Sequence, residues 1–191
     1  MACFLNKIVK PLTFKSPYFI SDSKDFVSKI KDKKLKRGCS LVSLDAVSLF
    51  TKVPIQLTLE YIKDKLSQDD AWKIDKHKLD LQDIIMLVEI CLEGNYFQWE
   101  GVYYEQLEGS AMGSPISSIF AEFFMQRLEF QMINTMTSIK LWYRYVDDVY
   151  RMVSTNDIDR ISAKLNDFNQ SIFVTHEIMS NNSLLFLDNL V

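Results

Sequence analysis

Leu141-Trp142-Tyr143-Arg144-Tyr145-Val146-Asp147-Asp148-Val149-Tyr150-Arg151-Met152-Val153 decides how this chain is read. Apolar runs stand on both sides of two adjacent carboxylates, the pattern of a β-hairpin with a doubly negative tip. Like charges side by side are costly unless a cation neutralises them, so the pair points to a metal site. A solvated turn, where Asp is common, is the alternative on these residues alone.

The rest of the chain narrows the choice. With 191 residues, 48% of them hydrophobic, it can bury a core and reads as one domain spanning 1–191. The longest apolar run, Ile84 to Leu92, is too short to span a membrane and contains Glu89. The N-terminus lacks the pattern of a signal peptide. Cys3, Cys39 and Cys91 form no CxxC pair, which argues against structural zinc or a disulfide framework and favours an intracellular setting. The net charge of −3 conceals a split: residues 1–40 carry +7 and residues 41–191 carry −10. A basic segment joined to an acidic body suits phosphates on the first and metals on the second, although a solvated amphipathic helix also accounts for the basic segment.

Local signals set the elements. Ser21 or Asp22 caps a helix to about Arg37, with Gly38 as its stop. Cys39 to Asp45 forms a strand, Pro54 opens a helix to about Leu66, and Asp80 caps another through Leu92, ending at Gly94. Tyr96–Trp99 and Val102–Tyr104 flank Glu100-Gly101 as a hairpin. Ser114 caps a long helix to about Met136, with Pro115 in its first turn and its Met and Phe positions in the core. A helix over about 156–168 and strands over 172–177 and 184–190 complete an α+β sheet domain.

Asp45, at the end of an apolar strand, is the third acid. Two Mg²⁺ ions about 4 Å apart need bridging carboxylates for in-line phosphoryl transfer, and three acids converging on one point supply them. An Asp capping the next turn is the plainer account of Asp45. Phe50 could press on the sugar of a bound nucleotide and reject a 2′-hydroxyl, or simply pack in the core. Gly109-Ser110-Ala111-Met112-Gly113-Ser114-Pro115 leads into a helix, where backbone approaches a ligand closely and anions are favoured. His77 reads as a surface residue, and His176 has no third ligand at metal spacing. Trp99, Tyr103 and Tyr104 suit base stacking, but packing of their hairpin is the preferred expectation.

Three segments together carry a family resemblance: Ser43-Leu44-Asp45-Ala46-Val47-Ser48-Leu49-Phe50-Thr51-Lys52-Val53-Pro54, Gln106 through Pro115, and Arg144-Tyr145-Val146-Asp147-Asp148. The chain resembles the reverse transcriptase of Penelope-like retroelements, relatives of telomerase reverse transcriptase. Lys15-Ser16-Pro17, Asp25-Phe26-Val27 and Leu185-Phe186-Leu187-Asp188 extend the likeness over nearly the whole length. The resemblance implies a right-hand polymerase palm, an antiparallel sheet with helices packed on one face. It implies that Asp45 and Asp147 hold two Mg²⁺ ions, for which Mn²⁺ can substitute, with Asp148 as the supporting acid. Phe50 becomes the gate against ribonucleotides. Gly113, Ser114 and Pro115 line the template and nascent base pair, Gln106 lies near the incoming nucleotide, and Tyr145 packs beside the primer end. Residues 184–191 start the primer grip.

The implied partners are an RNA template, a DNA primer and a dNTP, with no membrane, in the nucleus, where a retroelement integrates. Ala46 and Lys52 depart from the family pattern without removing a ligand. The fingers segment is expected before Met1, and a thumb and GIY-YIG endonuclease after Val191. Lys164, on a helix, is the one candidate for the lysine beside the pyrophosphate. The rival expectation is a catalytically incompetent remnant that folds and binds nucleic acid through its basic segment. A nucleotidyl cyclase would need the paired carboxylates but not the Gly-Ser-Pro segment.

Overall fold

A computed structural model describes residues 1–13, 16–69, 79–93 and 95–191. Lys15, His77 and Gly94, named above, lie outside these. Backbone contacts fall into two compact units, Met1–Lys15 with Ser48–Arg127, and Ser16–Val47 with Leu128–Val191.

The second unit is built on a sheet. Strands β1 (Cys39–Val47), β4 (Ile139–Tyr145), β5 (Asp148–Ser154) and β6 (Phe173–Ile178) lie in the order β4-β5-β1-β6, every pair antiparallel. Alternation assigns their faces. Val42, Arg151, Trp142 and Arg144 share one face through the pairs Val42↔Arg151 and Trp142↔Arg151. Hydrogen bonds tie it to helix α6 (Ser117–Thr135) through Glu129 and to α7 (Ile158–Asn166) through Ser162. Leu41, Ser43, Tyr150 and Met152 share the other face. There Ile20, Leu184, Phe186 and Phe26 of helix α2 (Ser23–Ile30) close a core over Leu41, Tyr150 and Met152. The rings of Phe26 and Tyr150 stand 5.0 Å apart, edge to face. That cover ends before the far end of β1: Leu41 is buried, Ser43 half-buried and Asp45 exposed.

Asp22 caps α2 by accepting from the Asp25 N–H, as the sequence predicts. The helix stops at Ile30 rather than near Arg37. Beyond it Lys31, Lys33, Lys34, Lys36 and Arg37 would stack like charges at helical spacing, and exposed Leu35 would be their only apolar anchor. The expected last strand is instead a small hairpin, β7 (Leu185–Phe186) and β8 (Asn189–Leu190). Leu187 and Asp188 both take positive φ at its turn.

The first unit is mainly helical: α1 (Ala2–Val9), α3 (Leu49–Lys52), α4 (Ile55–Gln68), α5 (Leu81–Leu92) and the start of α6. Asp80 and Asp83 form a capping box on α5. α5 packs against α1 and α4, burying Leu5, Ile62, Ile84 and Val88. Helix α6 starts two residues later than expected, at Ser117 rather than Pro115. Gly113, at φ 91°, turns the chain first, and the Ser117 hydroxyl donates to Ala111 O at 2.7 Å. Phe120, Phe123, Phe124, Met125, Met132 and Met136 are buried as the spacing predicts, whereas Phe130 is exposed.

Strands β2 (Tyr96–Trp99) and β3 (Val102–Glu105) form the expected hairpin about Glu100 and Gly101, both at positive φ. The expectation that its aromatics are buried is overturned. Trp99 is 64% and Tyr103 73% exposed, and Tyr104 is also exposed, because a two-stranded ribbon has no second layer of its own. Among the described residues no helix is long and apolar enough to cross a membrane.

Candidate active site

The hairpin read from the sequence is present, and its turn is unusual. Tyr145 pairs with Asp148 across Val146 and Asp147, and Val146 takes a φ of 54°. A β-branched residue there is a conformational outlier, of the kind that concentrates at functional sites. Arg144 holds the turn, its Nη1 donating to Val146 O at 2.8 Å. The same guanidinium, fully buried, donates through Nε to Glu129 Oε1 at 2.8 Å, and Trp142 Nε1 donates to that oxygen at 3.0 Å.

The last paired residues of β1 and β5 are Leu44 and Val149. One step further along each strand stand Asp45 and Asp148, on the face that the Phe26 core leaves open. Asp147 follows at the tip. Burial pushes the Asp148 carboxyl up to about 6, and the charges of Asp147 and Asp45 add to the effect. Asp147 is raised too, by burial and by Asp45, against the backbone N–H groups of the tip and Arg144. The three carboxylates thus feel one another across the hairpin and β1.

Asp45 and Asp148 line an open cleft of about 510 Å³. Thr175 and Glu177 of β6 and Asp188 of the β7–β8 turn complete its polar wall. The lining holds four carboxylates and no lysine or arginine. An all-oxygen, unneutralised donor set of this kind suits Mg²⁺ or Mn²⁺. Among the described residues, no three His, Cys, Asp or Glu side chains form a ready coordination shell. The structure therefore fits the ions in donor chemistry, with Asp45, Asp147 and Asp148 as the candidate ligands.

Sequence reasoning missed Glu177 and Asp188 as cleft residues. Their alternating or turn positions carry no signal until Asp45 is known to pair with Thr175 of β6. His176 lines the same cleft. Lys164, on α7, donates to Thr135 Oγ1 at 3.2 Å and is not in the lining. Tyr145 is half-buried and packs against the Phe26–Tyr150–Phe186 core.

The remaining candidates gather in the first unit. Phe50 is half-buried on α3, and its carbonyl accepts from Ser110 N at 2.7 Å and Ser110 Oγ at 3.3 Å. A Cβ on Gly109, which sits at φ 70°, would lie 2.6 Å from that carbonyl oxygen and 2.3 Å from the Thr51 carbonyl carbon. The glycine is thus needed to seat the loop on Phe50. Gln106 Nε2 donates to Glu108 O at 2.8 Å. Gly113 is exposed, Ser114 and Pro115 are half-buried, and Pro115 O accepts from Asn6 Nδ2 at 2.7 Å.

No family model and no curated protein sequence matches the chain. Solved structures do. A telomerase from Candida tropicalis truncated from its C-terminal domain aligns over 99% of this chain and 44% of its own, at 15% identity and a TM-score of 0.69. A telomerase from Candida albicans, in complex with a TWJ fragment of telomeric RNA, aligns over 96% and 35%, at 14% identity and 0.72. The BmCPV RNA-dependent RNA polymerase at elongation state aligns over 100% and 19%, at 13% identity and 0.66. The sheet is a polymerase palm. The chain spans less than half the length of each of these proteins.

The palm carboxylates have a measurable electrostatic consequence. In metal-free buffer Asp148→Asn is expected to raise the thermal midpoint at about pH 8. A carboxyl whose folded pKa is about 6, above the ordinary 3.8, makes the native state less stable as pH rises through that interval. The advantage of the variant therefore shrinks as pH falls through about 6 and is gone below 3.8. Calorimetry across this range tests it, and equal midpoints for both proteins at alkaline pH would exclude the coupling.

Proposed function

We propose that this chain is the palm of an RNA-directed DNA polymerase of the Penelope-like reverse transcriptase type. The observation that carries the reading is Asp45 and Asp148 one step past the last pair of neighbouring palm strands, with Asp147 at the tip and no lysine or arginine in the cleft. The reaction is attack of a primer 3′-hydroxyl on the α-phosphate of a dNTP, forming a phosphodiester and releasing pyrophosphate. Two Mg²⁺ ions, when bound, stabilise the attacking and leaving oxygens. Asp45 and Asp147 would hold both ions, and Asp148 would support the shell. Arg144 fixes the Val146 carbonyl and so orients the tip that presents Asp147.

In this reading Phe50 is the gate against ribonucleotides, carried by the turn on which Gly109 and Ser110 are seated. Gly113, Ser114 and Pro115 border the template and nascent pair, Gln106 the incoming nucleotide, and Tyr145 the primer end. The alternative is an incompetent palm that folds and binds nucleic acid, and the exposed basic run over residues 31–37 favours it.

Extension of a labelled DNA primer on an RNA template, with dNTPs and Mg²⁺, separates the two. The polymerase reading expects extension that chelation abolishes and Mn²⁺ restores. A folded protein that binds the duplex and adds nothing with either ion overturns it and leaves the alternative.

A further inference from the structure

We propose that a second site, at the opposite end of the palm sheet, binds the phosphodiester backbone of a nucleic-acid strand. A hollow of about 360 Å³ opens where β1 begins, between Arg37, Lys140 and Arg160, with Ser138 in its lining. Asp45 lies six residues further along β1, about 20 Å away at the rise of a strand. The site is thus separate from the carboxylate cleft, and it stands whether or not that cleft polymerises.

Ser138 is only 8% exposed, and its hydroxyl is a buried polar group without a hydrogen-bond partner among the described residues. Such groups are rare, and an arriving phosphate oxygen would satisfy it. Three cations line the hollow against one acid, Asp157. Lys140 Nζ is steadied at the rim by Thr137 O at 2.6 Å, and Arg160 pairs with Asp157 at 2.9 Å. Arg37 is steadied through its neighbour: Gly38 O accepts from Thr155 N at 3.0 Å and from Thr155 Oγ1 at 3.3 Å.

The exposed run Lys31-Asp32-Lys33-Lys34-Leu35-Lys36-Arg37 leads into the hollow. A single free phosphate would leave those lysines unused. A polyanion engages the run and the hollow together, releasing counterions at each contact, and this selects a nucleic-acid backbone.

The test is binding of a 5′-labelled single-stranded RNA by fluorescence anisotropy across a salt series. Arg37→Ala with Lys140→Ala removes two exposed cations and leaves the Arg160–Asp157 pair intact; a thermal melt checks that the variant folds. The slope of log K against log salt is expected to become shallower by about 1.4, from about 0.7 per phosphate contact. Ser138→Ala is expected to weaken binding about fivefold through one lost hydrogen bond. Binding is measured without dNTP or divalent metal, which keeps this result distinct from any loss of polymerisation. A parental slope in the folded double variant overturns the proposal. So does inorganic phosphate that saturates the hollow while RNA affinity ignores both substitutions, since that assigns the site to a free anion.

Discussion

Asp147→Asn is expected to lower nucleotide incorporation about 10³-fold or more while leaving the fold intact. The substitution is isosteric and removes one charge from a tip where burial and Asp45 already oppose that charge. Native stability in metal-free buffer should therefore hold or rise. On the proposed reading the variant loses a ligand to both ions, and a bound metal is worth several kcal/mol of transition-state charge stabilisation. At about 1.4 kcal/mol per tenfold, about 4 kcal/mol corresponds to that drop. Single-turnover incorporation with Mg²⁺ measures it, with a melting curve as the control for folding. Asp45→Asn should fall as far, and Asp148→Asn less far, if Asp148 supports the shell rather than bridging it as proposed. A folded Asp147→Asn protein within tenfold of the parent would remove these carboxylates from the chemistry.

What the sequence disclosed follows the range of the interactions involved. Asp22 and Asp80 were legible as caps because a side chain bonding an N–H three residues on is local chemistry. The Tyr145–Asp148 turn was legible for the same reason, since apolar strands flank it directly. The strand beginning at Cys39 was legible from its alternation, although its continuation to Val47 was not. Contacts between distant segments were invisible. Asp45 meets Thr175 across 130 residues, and nothing in the letters sets that register, so Glu177 and Asp188 could not be placed in the cleft.

Composition misled where it stood in for burial. Trp99 and Tyr103 are apolar enough for a core, yet their ribbon lies open. The lysine run after Ile30 has helix-forming residues but no face to bury, so the chain leaves the helix there. Those lysines instead form the exposed run leading to the second proposed site.

The buried Arg144 makes a prediction that separates support of the site from chemistry within it. Arg144→Ala is expected to destabilise the protein by about 3–5 kcal/mol, the usual cost of removing one partner of a buried ion pair. Glu129 would be left as a buried carboxylate, 2% exposed, and its remaining donors among the described residues are the neutral Trp142 Nε1 at 3.0 Å and Ser16 Oγ at 3.3 Å. For a domain stable by about 5–15 kcal/mol, that is a large share of the total. The substitution also releases the Val146 carbonyl, so incorporation should fall further than loss of folded protein explains. Its neighbour on the same face supplies the contrast. Arg151 is fully buried, yet only its Nη2 is bonded, to Ser162 Oγ at 3.1 Å, while Nε and Nη1 have no partner among the described residues. Burial without a carboxylate lowers its pKa to about 10. Arg151→Met removes unsatisfied donors and keeps the volume, so it should change stability by less than about 1.5 kcal/mol and leave incorporation intact. Denaturant unfolding of the two variants decides the matter: equal losses would show that the Glu129 pair has no special part in holding the tip.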